Sequence, residues 1–155
     1  MDVQAFVRPL EQIEAGMQAL YETLATRFAA TDPPASAVFC RLAFEERSHM
    51  AKLQYLRRLG RQLGSDLAEV KFDRDALDAE LGRIEKAVLD APALSLHEAI
   101  ATSLEVEYGA GDLHGRLAIA QSNPELAAVL VGLKGEDERH AKRLVALAQD
   151  RGGLP

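Results

Sequence analysis

Two stretches of this 155-residue chain carry acids and histidines in the same order. Glu14 lies seven residues before Tyr21, and Glu46 lies three before His49. Roughly ninety residues later, Glu107 lies seven before His114, and Asp137 three before His140. On a helix, residues three apart share a face and residues seven apart return almost to one line. Each carboxylate–histidine pair can therefore approach one cation from consecutive turns. The neighbours on these faces are apolar: Leu42, Met50 and Leu53 beside Glu46 and His49, and Leu130, Leu133, Ala141 and Leu144 beside Asp137 and His140. Leu10, Met17 and Tyr21 flank Glu14, while Ile100, Leu104 and His114 flank Glu107. Acids turned toward a core are costly unless neutralised. Two divalent cations would cancel the four carboxylate charges. Imidazole nitrogen with carboxylate oxygen suits Fe or Mn, with Zn possible in their place, and leaves positions open for water, O2 or peroxide. The expectation is a carboxylate-bridged dimetal site built from Glu14, Glu46, His49, Glu107, Asp137 and His140.

Four long helices must position these groups. Thr31-Asp32-Pro33 and Ser122-Asn123-Pro124 open the matching halves of the two copies, each with an N-cap residue followed by proline at the first helical position. From there Ala37-Val38 matches Ala128-Val129, Leu42 matches Leu133, Glu45-Glu46 matches Glu136-Asp137, and Leu53 matches Leu144. The preceding halves are also in register, with Ile13-Glu14 against Val106-Glu107 and Leu20-Tyr21 against Leu113-His114. Helices are expected over 3–30, from 33 to about 60–64, over 95–121, and from 124 to about 150. A short amphipathic helix is expected around 74–88. The short turns make two antiparallel hairpins, about 3–63 and 95–150, joined by a long crossover at 64–93. One domain spanning 1–155 follows: an all-α, antiparallel four-helix bundle with ferritin-like connectivity.

Composition agrees. There is no tryptophan and there are few aromatics, as suits a helical chain. A formal charge of −6 argues against nucleic acid as the main partner. The single cysteine, Cys40, excludes an intrachain disulfide, a zinc ribbon or an iron–sulfur cluster. No basic-then-apolar leader opens the chain, and no stretch approaches the ~18 apolar residues of a membrane span. A soluble cytoplasmic protein is the default.

The paired acid-x-x-His elements on a duplicated four-helix pattern resemble the rubrerythrin branch of the ferritin-like superfamily. The resemblance covers nearly the whole chain outside 64–93 and the tail. It implies a di-iron centre that reduces hydrogen peroxide or O2, or oxidises Fe(II), with two iron ions per site. By that pattern Glu46 and Asp137 bridge the irons, Glu14 and Glu107 are terminal, and His49 and His140 each ligate one. It also implies a homodimer, in some members with exchanged helix pairs. Helix 124–150 carries apolar residues on more than one side, which also points to subunit contacts. Three departures stand out. Ala110 occupies the place of a further glutamate that rubrerythrins use, Asp137 stands for a glutamate, and no four-cysteine rubredoxin domain accompanies the bundle. Electrons for a peroxidase would thus come from a separate donor. The alternative is iron binding or storage with little turnover, and a metal-free helical scaffold is the bland reading.

Other residues carry weaker expectations. Glu45 and Glu136 are turned ~100° from the ligand line, toward the surface or behind the ligands. Tyr21 reads as a core aromatic that could reach the metals by a hydrogen bond. His114 reads as a partner of the ligands or an ordinary buried histidine. Glu98, Glu105 and His97 read as surface groups, and Cys40 as a small apolar filler. Gly109 and Gly111 suggest a bulge or a close helix contact.

Overall fold

A computed structural model of the chain describes residues 3–63, 70–71 and 73–153. Residues 64–69, the start of the expected crossover, lie outside the described residues. Those described form helices α1 (Val3–Phe28), α2 (Pro33–Leu63), α3 (Arg74–Asp90), α4 (Leu96–Ala120) and α5 (Pro124–Asp150), with a 3-10 turn at Ala91–Ala93. Among them there is no strand, and no helix is long and apolar enough to cross a membrane.

The helix starts follow from capping chemistry. The first N–H groups of a helix lack intrahelical acceptors, so a side-chain oxygen that receives them contributes about 1 kcal/mol. Asp32 accepts the Ala35 N–H at 3.0 Å, and Asn123 accepts those of Glu125 and Leu126, each at 3.0 Å. Asp73 does the same for α3, and Ser95 with Glu98 forms a reciprocal capping box on α4. The helices end within about two residues of the expected positions.

Cross-helix contacts establish direction. Along α1 and α2, Glu11 meets Arg57, Glu14 meets His49, Glu22 meets Arg47 and Ala25 meets Ser36, so the partner number falls as the chain rises. The pairs Glu107–His140 and His114–Asp137 show α4 and α5 antiparallel in the same way. Across the two pairs, Tyr21–Glu107 and Glu14–His114 join α1 to α4, while Lys52–Glu136 and Arg143–Glu45 join α2 to α5. Helix α3 lies against α1 and α4. The expected stripe of α1 is buried throughout: Leu10, Ile13, Met17, Leu20, Leu24 and Phe28. Apolar burial of this kind contributes about 25 cal/mol per Å² and supplies most of the stability of such helices.

Two expectations change. Cys40 is exposed rather than a core filler: its neighbour Phe39 faces inward, and the next residue of a helix is turned ~100° away. Met50 is only half-buried. Helix α4 runs unbroken through Gly109 and Gly111, and Gly109 serves close approach instead of a bulge, whereas Gly111 has room for a methyl group at ordinary contact distance. A Cβ on Gly109 would stand 2.5 Å from Glu80 Oε2, and one on Gly111 3.4 Å from the Asp137 Cβ.

Gly16, like Gly109, serves close approach, here of α1 and α3, since a Cβ there would lie 2.5 Å from Ile84 Cγ2. The β-branched isoleucine has little freedom to withdraw. Gly82 on α3 has nothing within 4 Å of that position. Both substitutions to alanine raise helix propensity, yet their effects should be opposite in sign. Gly82→Ala should stabilise by about 0.5–1 kcal/mol, and Gly16→Ala should destabilise by about 1–3 kcal/mol, as read from urea midpoints at unchanged slope.

Candidate metal centre

Each long helix sends its chemical groups into one polar layer in the middle of the bundle. Glu14 and Tyr21 come from α1, Glu46 and His49 from α2, Glu107 and His114 from α4, and Asp137 and His140 from α5. All eight are at least 98 % buried. The six residues expected to bind metal therefore share one interior, although they do not share it evenly.

Glu46 is the hub. Its Oε2 lies 2.9 Å from His49 Nδ1, and its Oε1 lies 3.1 Å from His140 Nδ1. Ligand atoms of Glu46, His49 and His140 all fall within 4.8 Å of one another. The two imidazoles lie nearly parallel, with ring centres 5.2 Å apart. His49 Nδ1 also meets Glu14 Oε2 at 2.8 Å, and His140 Nδ1 meets Glu107 Oε1 at 3.2 Å. Both Nδ1 atoms thus face the carboxylates, as nitrogens directed at a shared cation would. Asp137 is placed differently. Its Oδ2 is bonded to His114 Nδ1 at 2.8 Å, so the shorter side chain reaches α4 next to it.

Unmet bonding capacity makes this layer a candidate cation site. Both oxygens of Glu46, together with Glu14 Oε1, Glu107 Oε2, Asp137 Oδ1 and His114 Nε2, are buried without a hydrogen-bond partner among the described residues. An unsatisfied buried oxygen costs about 1–3 kcal/mol, and more when charged. Lone pairs converging from four helices suit divalent cations that accept carboxylate and imidazole ligands. The donor set fits iron, manganese or zinc.

Electrostatics makes the same point through protons. Burial and the nearby Glu46 charge push the Glu107 carboxyl up to about 7 despite the His140 contact. Burial also raises Asp137 to about 6, and raises Glu46. Glu14 ends below its usual range, because His49 and His114 outweigh the burial that would raise it. Burial opposes the charged form of both hub histidines, yet Glu14 and Glu46 raise His49 to about 11, and Glu107 and Glu46 raise His140 to about 10. Protons and cations compete for these nitrogens.

The outer ring nitrogens are held from the opposite helix pair. His140 Nε2 lies 3.0 Å from Glu45 Oε2 on α2, and His49 Nε2 lies 2.9 Å from Glu136 Oε2 on α5. Arg143 and Arg41 in turn hold Glu45, while Lys52 and Arg139 hold Glu136. A carboxylate behind a ligating imidazole fixes its tautomer and orientation and raises its basicity. Of the two places left open for Glu45 and Glu136, the one behind the candidate ligands is therefore occupied. The signal was in the repeat: each copy reads acid, acid, two residues, His, two residues, then a cation, ending at Lys52 or Arg143. Tyr21 donates its hydroxyl proton to Glu107; burial and the Glu107 charge hold its pKa well above the usual value. One buried acid had no sequence signal. Glu80 on α3 sits against Gly109, its Oε1 without a hydrogen-bond partner among the described residues.

Two measurements follow. Glu45→Ala or Glu136→Ala should leave the helical content intact and weaken divalent-metal affinity by about 10- to 100-fold, as read by titration calorimetry. The second concerns pH. His49 and His140 bind protons more tightly folded than unfolded, so their contribution is complete below the ordinary histidine value of 6.5 and is lost as pH rises toward 10–11. Chelator-treated protein should melt at progressively lower temperature from pH 7 to pH 10. Metal affinity should rise over the same interval, because each ligating imidazole must shed its proton. Set beside known proteins, the chain matches no family model, no curated protein and no solved structure.

Proposed function

We propose that the chain is a di-iron carboxylate protein of ferritin-like, rubrerythrin-type architecture, acting as an oxidoreductase on hydrogen peroxide, O2 or Fe(II). The observation that carries this reading is the buried convergence of Glu46, His49 and His140 ligand atoms within 4.8 Å, beside oxygens of Glu14, Glu107 and Asp137 that have no hydrogen-bond partner among the described residues. Reduction of peroxide to two waters takes two protons and two electrons; an Fe(II) pair held by these residues would supply the electrons, and a separate donor would have to restore them. The protein's own part is positional. Glu45 and Glu136 fix the two imidazoles, and the Tyr21 hydroxyl holds Glu107 by a donated hydrogen bond. Ligands no more than 2 % exposed favour a reactant as small as O2 or peroxide over a bulky organic substrate.

Anaerobic Fe(II) titration should load about two ions per chain, as cancelling four buried carboxylate charges requires. Reoxidation should then produce oxygen-bridged di-iron absorption. Rapid multiple turnovers of peroxide with a reductant supplied support the enzyme, whereas a single turnover supports iron storage. Ligand binding to the folded state alone stabilises by about 2.7 kcal/mol at a hundredfold excess over Kd. Metal should raise the melting temperature of the wild type accordingly and raise that of the Glu46→Ala/His49→Ala double variant clearly less. Equal melting curves with and without metal for both proteins would leave only the helical scaffold.

A further inference from the structure

The duplication breaks at one point inside the polar layer. Tyr21 and His114 occupy equivalent places, seven residues after Glu14 and Glu107, and each reaches across to the acid of the other pair. The Tyr21 hydroxyl makes an aligned hydrogen bond to Glu107. His114 behaves otherwise. Its Nδ1 bonds Asp137 Oδ2 at 2.8 Å, and an ionised carboxylate only accepts, so Nδ1 carries the hydrogen. Its Nε2 then faces Glu14 Oε1 at 3.3 Å. That contact is not a hydrogen bond, and both atoms are buried without a partner among the described residues.

A buried carboxylate oxygen and an imidazole nitrogen 3.3 Å apart without an aligned hydrogen bond call for a positive charge beside them. A cation bound to both meets that need where a proton on Nε2 is poorly directed. A separation near 3 Å is what two adjacent ligands of one first-row cation adopt when each bond is about 2.1 Å. The remaining geometry is that of a ligating histidine, with the second ring nitrogen donating to a carboxylate. Glu14 is suited to join this position to the hub, because its other oxygen, Oε2, contacts His49 Nδ1 at 2.8 Å.

We propose that His114 is a metal ligand through Nε2, holding with Glu14 Oε1 the second divalent cation, while Asp137 orients the ring. The inference rests on the dimetal reading above and alters it. Glu14 becomes the carboxylate shared between the cations, and Asp137 acts behind a ligand. A tyrosine in this place keeps its proton and donates it, as Tyr21 does; an imidazole offers a lone pair. The exchange of Tyr for His between the two copies therefore converts a hydrogen-bond donor into a ligand.

The test uses Co(II) as the probe on the full chain. Calorimetric titration of the wild type should show about two equivalents. His114→Gln should lose one of them, or hold it at least about 100-fold more weakly. His114→Tyr, which restores the symmetry of the repeat, should do the same. Circular dichroism checks that both variants remain helical. Crystals of Co(II)-loaded wild type should place anomalous density about 2.1 Å from Nε2, a result that needs neither variant to fold. Two equivalents with no cation on Nε2, or variants that keep both at wild-type affinity, overturn the role of His114 and leave the dimetal reading standing. Failure of the wild type to take up any Co(II) overturns both.

Discussion

Four carboxylates in one bundle interior cannot all be ionised and dry without compensation, and the rest of this structure is arranged around that constraint. The histidines of α2, α4 and α5, the Tyr21 hydroxyl and the cross-bundle acids are positioned by it. The helices within each antiparallel pair touch along their length, whereas approaches between the pairs are far sparser. The polar layer lies on that sparse seam. A cation bound there would draw on ligands from both pairs and so would add a tie between the two halves.

Duplication accounts for the outline of the site and its departures account for its chemistry. Glu46 reaches both hub histidines; Asp137, one methylene shorter, instead meets His114 on the neighbouring helix. Gly111 faces Asp137, and Ala110 beside it is buried without adding a donor. A pattern that is nearly two-fold in sequence is therefore lopsided in space. The α2 copy provides Glu46 and His49 of the hub, and the α4–α5 copy provides His140 and a histidine–aspartate pair at its edge.

The outer layer keeps the symmetry that the inner one loses. Glu45 holds His140 and Glu136 holds His49, each from the opposite pair and each supported by a cation on the far helix. These groups are partly accessible, so their charge pairs contribute little to stability by themselves. Their effect is to fix how the two imidazoles point, and each strap also spans the seam between α2 and α5. Orientation of the rings and registration of the two halves thus depend on the same four side chains.

Helix positions, caps, the buried stripe of α1 and the six candidate ligands were readable from spacing, because those properties depend on residues within a few turns of one another. The acid before each ligand pair and the cation after each histidine were visible as a repeat, but periodicity alone left the acids between the surface and the space behind the ligands. Exposure of Cys40 and burial of Glu80 depend on which neighbour covers a given face, and one helix cannot specify that. The same holds for His114. Its position marked it as the counterpart of Tyr21; only the packing of α1, α4 and α5 brought its Nε2 to 3.3 Å from Glu14. The sequence by itself determined which groups enter the interior and on which helices. The tertiary structure decided which lone pairs meet there, because those distances are set by the crossing of helices far apart along the chain.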